Sequence, residues 1–226
     1  GWSSTDNCDG TVSRMWRWRL RWTLEELIHV NVGGQHSHIS GAAYCWGDNA
    51  FGRLGTGTTT SSAIAAPVAG ALTFARISTG ANHACGLTTS GAAVCWGRNE
   101  LLALGDGTRE AFRSSPTVVA GGHTFTQIVS GNEYSCALTP SGAASCWGHK
   151  AFGRLGNGSG DEVSTPTAVA GGLTFERISV GSGHTAAITH AGAAYSWGTN
   201  WQGQLGDGTQ EHRYAPVRAA IGLIFK

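Results

Sequence analysis

The sequence GAAVCWG at residues 91–97 recurs three more times along the chain with little change. The other copies are GAAYCWG at 41–47, GAASCWG at 142–148 and GAAYSWG at 192–198. Successive tryptophans are separated by 50, 51 and 50 residues: Trp46, Trp96, Trp147 and Trp197. A constant period of this length indicates a repeat protein in which each unit is one supersecondary structure.

The same register continues outward from each tryptophan. A Leu–Gly pair follows eight residues later, then a glycine-rich turn such as GDGT, then a segment with a proline, then a run such as LTFARIS. Each unit thus holds four short strand-forming segments bounded by turn residues, and none has a sustained helical period. Four short strands per fifty residues are typical of a propeller blade. The sequence predicts an all-β fold, a β-propeller of four-stranded blades with about four blades plus a partial one.

The repeat also predicts the domain organisation. Residues 1–226 form a single repeat domain with units at 27–73, 74–124, 125–174 and 175–226. Residues 1–26 fit the second half of another blade in which most of the repeat pattern is replaced. The first unit lacks about three residues between His36 and Gly41, so its second-strand hairpin is shortened.

Composition excludes several classes of protein. The 226 residues are 41% hydrophobic and 13% charged, which indicates a globular chain, and 35 glycines are about twice the usual share. A formal net charge of +1 gives no bias of the whole chain toward nucleic acid or anionic membranes. No apolar run is long enough to span a bilayer, and no signal peptide is evident.

An unusual segment, MWRWRLRW, occupies residues 15–22. Its strict alternation suits a strand whose aromatic face must be covered, because three bare tryptophans exceed the apolar patch that a soluble monomer usually exposes. The cover is a neighbouring blade, a second copy or another protein, or, less favoured, a membrane or nucleic acid. The possible interface residues are Trp16, Arg17, Trp18, Arg19, Arg21 and Trp22.

Four of the six cysteines fall in pairs that flank three-residue turns. Cys85 lies opposite Cys95, and Cys136 lies opposite Cys146, at positions where a cross-strand disulfide is possible. The fourth unit has Ala186 and Ser196 there, so both cysteines are absent together. We expect disulfides 85–95 and 136–146, and with them an extracytoplasmic or secreted location; buried free thiols are the alternative. Cys45 is either free or paired with Cys8.

The loops after the GDGT turns contain the charged residues most suited to binding. In a propeller, equivalent loops emerge at one end of the ring, so these side chains are expected to gather there. A solvated rim and paired carboxylates in acid–base catalysis are the alternatives. The candidate binding residues are Asp106, Glu110, Arg113, Asp161, Glu162, Asp207, Glu211 and Arg213.

No motif identifies a catalytic, metal or cofactor site. G-x-S-x-G, H-E-x-x-H and the P-loop are absent from the sequence. His36 and His38 have a spacing that metals can use, but His36 is the histidine that the repeat also places at 83 and 184, which indicates a structural hydrogen bond. The sequence therefore predicts neither a metal nor a cofactor.

The segments AYCWGDNAFGRLGTGT and AYSWGTNWQGQLGDGT resemble repeats of the regulator of chromosome condensation family, most closely its bacterial, often secreted, members. The resemblance covers roughly residues 27–226. It implies a propeller, usually of seven blades in this family. Some members are exchange factors for a small GTPase and bind chromatin, and one bacterial branch inhibits β-lactamases; no residue here matches either contact set.

These observations favour a non-catalytic propeller scaffold that binds another protein through blade-end loops. A homodimer through the N-terminal strand is a further possibility. The alternatives are a hydrolase that uses the loop carboxylates and a repeat fragment without a function of its own.

Overall fold

The computed structural model of the chain describes residues 41–219, and these form β-strands joined by turns and loops. Across this range, no helix has the length and apolar composition needed to cross a lipid bilayer. Two short 3-10 turns occupy Ala50–Gly52 and Ala151–Gly153. The strands are β1 (Tyr44–Gly47), β2 (Ser62–Pro67), β3 (Phe74–Thr79), β4 (His83–Thr88), β5 (Ala93–Arg98), β6 (Phe112–Val118), β7 (Gln127–Ser130), β8 (Tyr134–Leu138), β9 (Ala144–Gly148), β10 (Val163–Ala168), β11 (Arg177–Val180), β12 (His184–Ile188), β13 (Ala194–Gly198) and β14 (Arg213–Arg218).

The strands form antiparallel meanders in chain order. Blade 1 contains β1 and β2, blade 2 contains β3–β6, blade 3 contains β7–β10 and blade 4 contains β11–β14. The predicted all-β fold of four-stranded blades is therefore confirmed, with three complete blades and two strands of another among the described residues. The predicted partial blade at 1–26, with its Arg–Trp strand, lies outside the described residues, as do residues 27–40 of the first unit.

The hydrophobic core lies between blades rather than within them. Each of three clusters joins one blade to the next, and each contains a tryptophan with no exposed surface. Cys95, Leu104 and Val119 of blade 2, for example, pack against Phe125 and the Trp147 ring of blade 3. A blade has two faces to bury, so face-to-face packing of neighbours is what stabilises the array.

A repeated hydrogen bond joins the same surfaces. The indole N–H of Trp147 donates to the carbonyl of Ala103 at 2.9 Å, and Ala103 precedes the Leu–Gly pair of blade 2. The corresponding bonds run from Trp96 to Arg53 at 3.0 Å and from Trp197 to Arg154 at 3.1 Å. We call this contact the indole latch: the tryptophan of one blade bound to the carbonyl before the Leu–Gly pair of the preceding blade.

Two disulfides cross the central strands of blades 2 and 3. Cys85 pairs with Cys95 and Cys136 pairs with Cys146, in each case between directly opposed residues. The predicted pairs are thus present, and the alternative of buried thiols is wrong for them. Cys45 is also disulfide-bonded, which excludes a free thiol at that position, and Cys8 lies outside the described residues.

Candidate functional site

The loops between the third and fourth strands of each blade emerge at the same end as the turns between the first and second strands, because the strands alternate in direction. Arg154, which lies in the long loop of blade 3, links this loop to two of the short turns. Its Nη1 donates to the carbonyl of Asn132 in the first turn of blade 3 at 3.0 Å and to that of Ser182 in the first turn of blade 4 at 3.3 Å. We call this the loop end. Its segments are 48–61, 80–82, 99–111, 131–133, 149–162, 181–183 and 199–212.

In three of the four long loops, a buried asparagine of that loop holds its backbone in place by hydrogen bonds. Asn99 has no exposed surface, its Oδ1 accepts the N–H of Leu104 at 3.1 Å, and its Nδ2 lies 3.4 Å from the Thr108 carbonyl. Asn49 and Asn200 make the matching bonds in blades 1 and 4. Lys150 occupies this position in blade 3 and is exposed. The sequence signal for this role is the recurrence of asparagine three residues after the repeated tryptophan in blades 1, 2 and 4, and these asparagines were not among the predicted residues.

Asp106 folds back onto its own loop. Its Oδ1 accepts bonds from the Thr108 N–H at 3.0 Å and hydroxyl at 2.9 Å, while Oδ2 accepts from Arg113 Nε at 2.9 Å. Only 2% of the Asp106 side chain is exposed. Burial alone would raise the pKa of this carboxyl, but the hydrogen bonds from Thr108 and Arg113 lower it below its usual value.

Asp207 repeats this arrangement in blade 4. Arg213 Nε lies 2.6 Å from Oδ2, and the Thr209 hydroxyl lies 2.8 Å from Oδ1. Against the effect of burial, the hydrogen bonds from Arg213 and Thr209 lower the pKa of Asp207 to about 2. Both aspartates are thus ionised and engaged inside their loops at neutral pH, which does not suit general acid catalysis.

Most of the other predicted acidic residues face solvent, unlike the buried side chains of Asp106 and Asp207. Glu110, Glu211 and Asp161 are exposed, and Glu162 is half-buried. Glu211 lies within 3.5 Å of Arg213 Nη1. Asn157 of blade 3 takes the place of the aspartate and accepts the Ser159 N–H at 3.1 Å. The predicted set therefore divides into two internal Asp–Arg pairs and a group of carboxylates that face solvent.

An exposed aromatic cluster occupies the loop end between blades 3 and 4. The ring centroid of Trp201 lies 5.4 Å from that of Phe152 and 4.2 Å from that of His212, and Phe152 lies 4.8 Å from His212. Trp201 is 62% exposed and Phe152 is 40% exposed. Phe152 also has a φ of +59°, a conformation that side chains rarely adopt. We call these three residues the aromatic cluster; none of them was among the predicted site residues.

Buried polar residues line the seam between blades 2 and 3 at the same end. Glu133 is 6% exposed, and its Oε1 accepts from Asn82 Nδ2 at 2.7 Å and lies 3.7 Å from Arg98 Nη1. Its Oε2 is buried with no partner among the residues described. His83 is fully buried, and this burial lowers its pKa to about 4. Neither group is open to solvent, so both belong to the packing between the blades.

No candidate metal centre is found in the described part of the chain, where no three His, Cys, Asp or Glu side chains gather. The predicted interface residues 16–22 lie outside that part.

The fold and its inter-blade contacts define a repeat β-propeller. The regulator of chromosome condensation (RCC1) repeat matches residues 40–87, 90–138, 141–188 and 191–222, and a second form of the same repeat matches 74–101. The chain belongs to this family, as its sequence motifs predicted.

Solved propellers show the same architecture. Human WBSCR16 is similar with a TM-score of 0.73 and 26% identity, over 80% of this chain and 49% of that one. Prp20p from Saccharomyces cerevisiae is similar with a TM-score of 0.70 and 22% identity, over 80% and 47% respectively. Its structure was described together with its binding to Gsp1p and histones. The present chain thus spans about half the length of these relatives.

Proposed function

We propose that the protein is a non-catalytic scaffold that binds another protein through its loop end, with the aromatic cluster at the centre of the contact. The observation that carries this proposal is the exposure of Trp201 and Phe152 side by side. Tryptophan is enriched among the residues that dominate protein interfaces, and adjacent exposed aromatic rings indicate an interaction surface more strongly than single exposed rings do.

The loop end is preorganised for such a contact. Asn99, Asn200 and the two Asp–Arg pairs hold the long loops by hydrogen bonds, so little conformational freedom is lost when a partner binds. The solvent-facing carboxylates Glu110, Asp161 and Glu211 lie in these loops. They favour a partner whose apolar anchor is flanked by basic side chains.

Relatives support a protein partner in general terms. Prp20p binds Gsp1p and histones. We therefore use Gsp1p and histones as known proteins whose binding to the present chain can be measured. An extracytoplasmic location is part of the same proposal, because disulfides such as Cys85–Cys95 persist in oxidising compartments.

The test measures binding with a variant of the cluster and a matched control. A photocrosslinking amino acid at position 201 identifies partners in extracts of the source organism, and each purified partner, along with Gsp1p and histones, is titrated against the intact chain. We expect the Phe152→Ala/Trp201→Ala double variant to weaken binding at least about tenfold. Ile64→Ala, which removes an exposed apolar side chain (78% exposed) from β2, is expected to leave the affinity unchanged. A partner that binds the double variant and the intact chain equally well would refute the proposal.

A further inference from the structure

The glycine-rich turn of blade 3, GNGSG at residues 156–160, contains an asparagine in a distinctive sequence pattern. Asn157 is followed by Gly158 and then by Ser159. This is the Asn-x-Ser/Thr pattern, with x other than proline, at which N-linked oligosaccharides are attached. None of the other seven asparagines of the sequence has serine or threonine two residues later. The sequence therefore offers one acceptor position, and the folded loop determines whether its amide is available.

Asn157 occupies in blade 3 the position that an aspartate has in blades 2 and 4. Asp106 of blade 2 is held inside its loop by Arg113, which lies opposite the glycine that follows the repeated tryptophan. Blade 4 has the same aspartate–arginine pair. In blade 3 the residue opposite that glycine is Val163, whose side chain has no hydrogen-bond donor. The aspartate and its partner are thus replaced together, and no arginine at this position holds the Asn157 side chain inside the loop.

The two ends of the Asn157 amide have different environments. Its Oδ1 accepts the N–H of Ser159 at 3.1 Å, which fixes the side chain in an Asx turn. Its Nδ2 donates to no other residue within 41–219. It is also not one of the buried polar atoms without a partner in this range, which are His83 Nδ1, Ser130 Oγ and Glu133 Oε2. The nitrogen that would carry an oligosaccharide is therefore open to solvent, while the oxygen keeps the side chain in place.

The residues beside Asn157 leave room for a bulky group. Gly158 and Gly160 are exposed, and a Cβ added to Gly160 would have no neighbour within 4 Å. A Cβ added to Gly158 would meet only Ala170, at 3.6 Å. Asn99, by contrast, has no exposed surface, and its amide binds the backbone of its own loop. Asn157 thus combines the sequence pattern with a free amide nitrogen and open surroundings.

We propose that Asn157 is the acceptor of an N-linked oligosaccharide. In this transfer, Asn157 Nδ2 forms a bond to the anomeric carbon of an oligosaccharide that is carried on a polyprenyl diphosphate. The bond from that carbon to the diphosphate oxygen breaks, and the amide loses one proton as the polyprenyl diphosphate leaves. The inference rests on the extracytoplasmic location proposed above, because this modification belongs to secreted proteins. It does not depend on partner binding through the aromatic cluster, which uses different residues.

The first test directs the full chain, behind a secretory leader peptide, into the endoplasmic reticulum of a glycosylating host cell. We expect the intact mass to exceed the 23.4 kDa of the polypeptide by one oligosaccharide. Peptide-N-glycosidase releases such an oligosaccharide and leaves aspartate behind, so it should remove the excess mass and mark position 157 in a peptide map.

Variants of the pattern provide matched controls. Asn157→Gln and Ser159→Ala should each abolish the modification, since one removes the acceptor amide and the other the required hydroxyl. Ser159→Thr should keep it, because threonine satisfies the pattern and already stands at this position in blades 2 and 4, as Thr108 and Thr209. Circular dichroism confirms that each variant is folded. A folded intact chain that leaves this host with an unmodified Asn157 overturns the proposal, and so does an oligosaccharide that persists in Asn157→Gln.

Chain purified from its source organism separates the site from the location. Thiols are alkylated at lysis, so that the state of Cys85 and Cys95 reports the compartment in which the chain resides. Where this pair is oxidised, we expect the peptide with Asn157 to carry the oligosaccharide, and an unmodified amide would overturn Asn157 as a natural acceptor. Reduced cysteines would contradict the proposed location, and with it the modification in the organism.

Discussion

The tautomer of the neutral His83 ring is determined by a chain of hydrogen bonds across the seam between blades 2 and 3. The Ser135 hydroxyl donates its only proton to the Ala103 carbonyl at 3.0 Å, so at its 2.9 Å contact with His83 it must accept from Nε2–H. The Nδ1 of His83 therefore carries the lone pair, and it is buried with no partner among the described groups. Protonation would place a charge in a fully buried site where no described group accepts from Nδ1, and this burial lowers the pKa.

This buried histidine makes stability depend on pH in a defined window. Its pKa is about 4 in the fold and 6.5 for the ordinary group, so the unfolded chain binds the proton first as the pH falls. The stabilisation that comes from keeping His83 neutral in the fold is fully present above pH 6.5. As the pH falls from 6.5 toward 4, the free energy of unfolding decreases by about 3 kcal/mol. We expect urea unfolding at pH 7 and pH 4 to show this loss in the intact chain and much less of it in His83→Gln.

His190→Gln provides the control, because His190 is exposed in a turn. It should keep the pH dependence of the intact chain. The effect of Asp207 falls in a lower window, since its stabilisation is present above its ordinary pKa of 3.8 and is lost as the pH falls toward 2. If His83→Gln and the intact chain lose the same stability between pH 7 and 4, the assignment of His83 is wrong.

Asp106 is a predicted binding residue whose side chain lies inside its own loop. It pairs with Arg113 because the loop folds back on itself, and only 2% of the Asp106 side chain is exposed. Asp106→Asn removes the charge that Arg113 and Thr108 bind, and it should lower the free energy of unfolding by roughly 1–3 kcal/mol. Denaturant unfolding measures this, with Glu110→Gln in the same exposed loop as a control that should change it by less than about 0.5 kcal/mol. Equal effects of the two variants would assign Asp106 to the solvated rim.

Among the elements, the hairpin of β4 and β5 shows what can be predicted and what cannot. The three-residue turn between the two strands predicted which residues are paired across the hairpin, and Cys85 does lie opposite Cys95. The conformations of loops 99–111 and 199–212 could not be predicted from the sequence in the same way. The burial of Asn99, for example, depends on a backbone carbonyl that only the folded loop brings close to it. The position of Phe152 beside Trp201 also joins residues from different units, which no local pattern indicates.

The equivalent hairpin of blade 4 can be used to test the cross-strand geometry. Ala186 and Ser196 are directly opposed, as the cysteines are in blades 2 and 3. We expect Ala186→Cys/Ser196→Cys to form a disulfide on oxidation, detected by mass under non-reducing conditions. The chain-entropy estimate for so small a loop is about 3 kcal/mol. The net gain should be smaller, because Ser196 Oγ donates to the Leu205 carbonyl at 2.6 Å and that bond is lost.

Thermal unfolding with and without reductant isolates the effect of this bond. The reduced double variant should be slightly less stable than the intact chain, and the oxidised form more stable than the reduced form. Ala186→Ser is a suitable control, because it changes the exposed position without a thiol. Failure to oxidise would mean that the strands of blade 4 do not hold the spacing of blades 2 and 3.

At the level of the whole molecule, stability depends on how one blade fits the next. Each interface combines a buried tryptophan, its latch to a backbone carbonyl and a glycine that leaves room for the ring. The blade 3–blade 4 interface adds Tyr134, whose hydroxyl donates to the His184 carbonyl at 2.6 Å, and burial raises the pKa of this phenol to about 12. Because each blade contacts only its neighbours, the stability of the array is approximately a sum of terms for the blades and for the interfaces between them. A substitution that weakens one interface should therefore lower the free energy of unfolding by about the amount that this interface loses.

Two glycines two residues apart separate this packing effect from backbone strain. Gly156 has a φ of +66° and Gly158 a φ of +79°, so alanine at either position costs about 1 kcal/mol in strain. A Cβ on Gly156 would also lie 2.5 Å from Trp197, whereas on Gly158 it would meet only Ala170 at 3.6 Å. Because Trp197 has no exposed surface and is packed in a buried cluster, we expect Gly156→Ala to lower the free energy of unfolding by at least about 2 kcal/mol more than Gly158→Ala. Denaturant unfolding followed by tryptophan fluorescence measures both variants. Equal losses would mean that the glycine is required only by the turn, and the interface between blades would then have to be held by the apolar cluster and the latch alone.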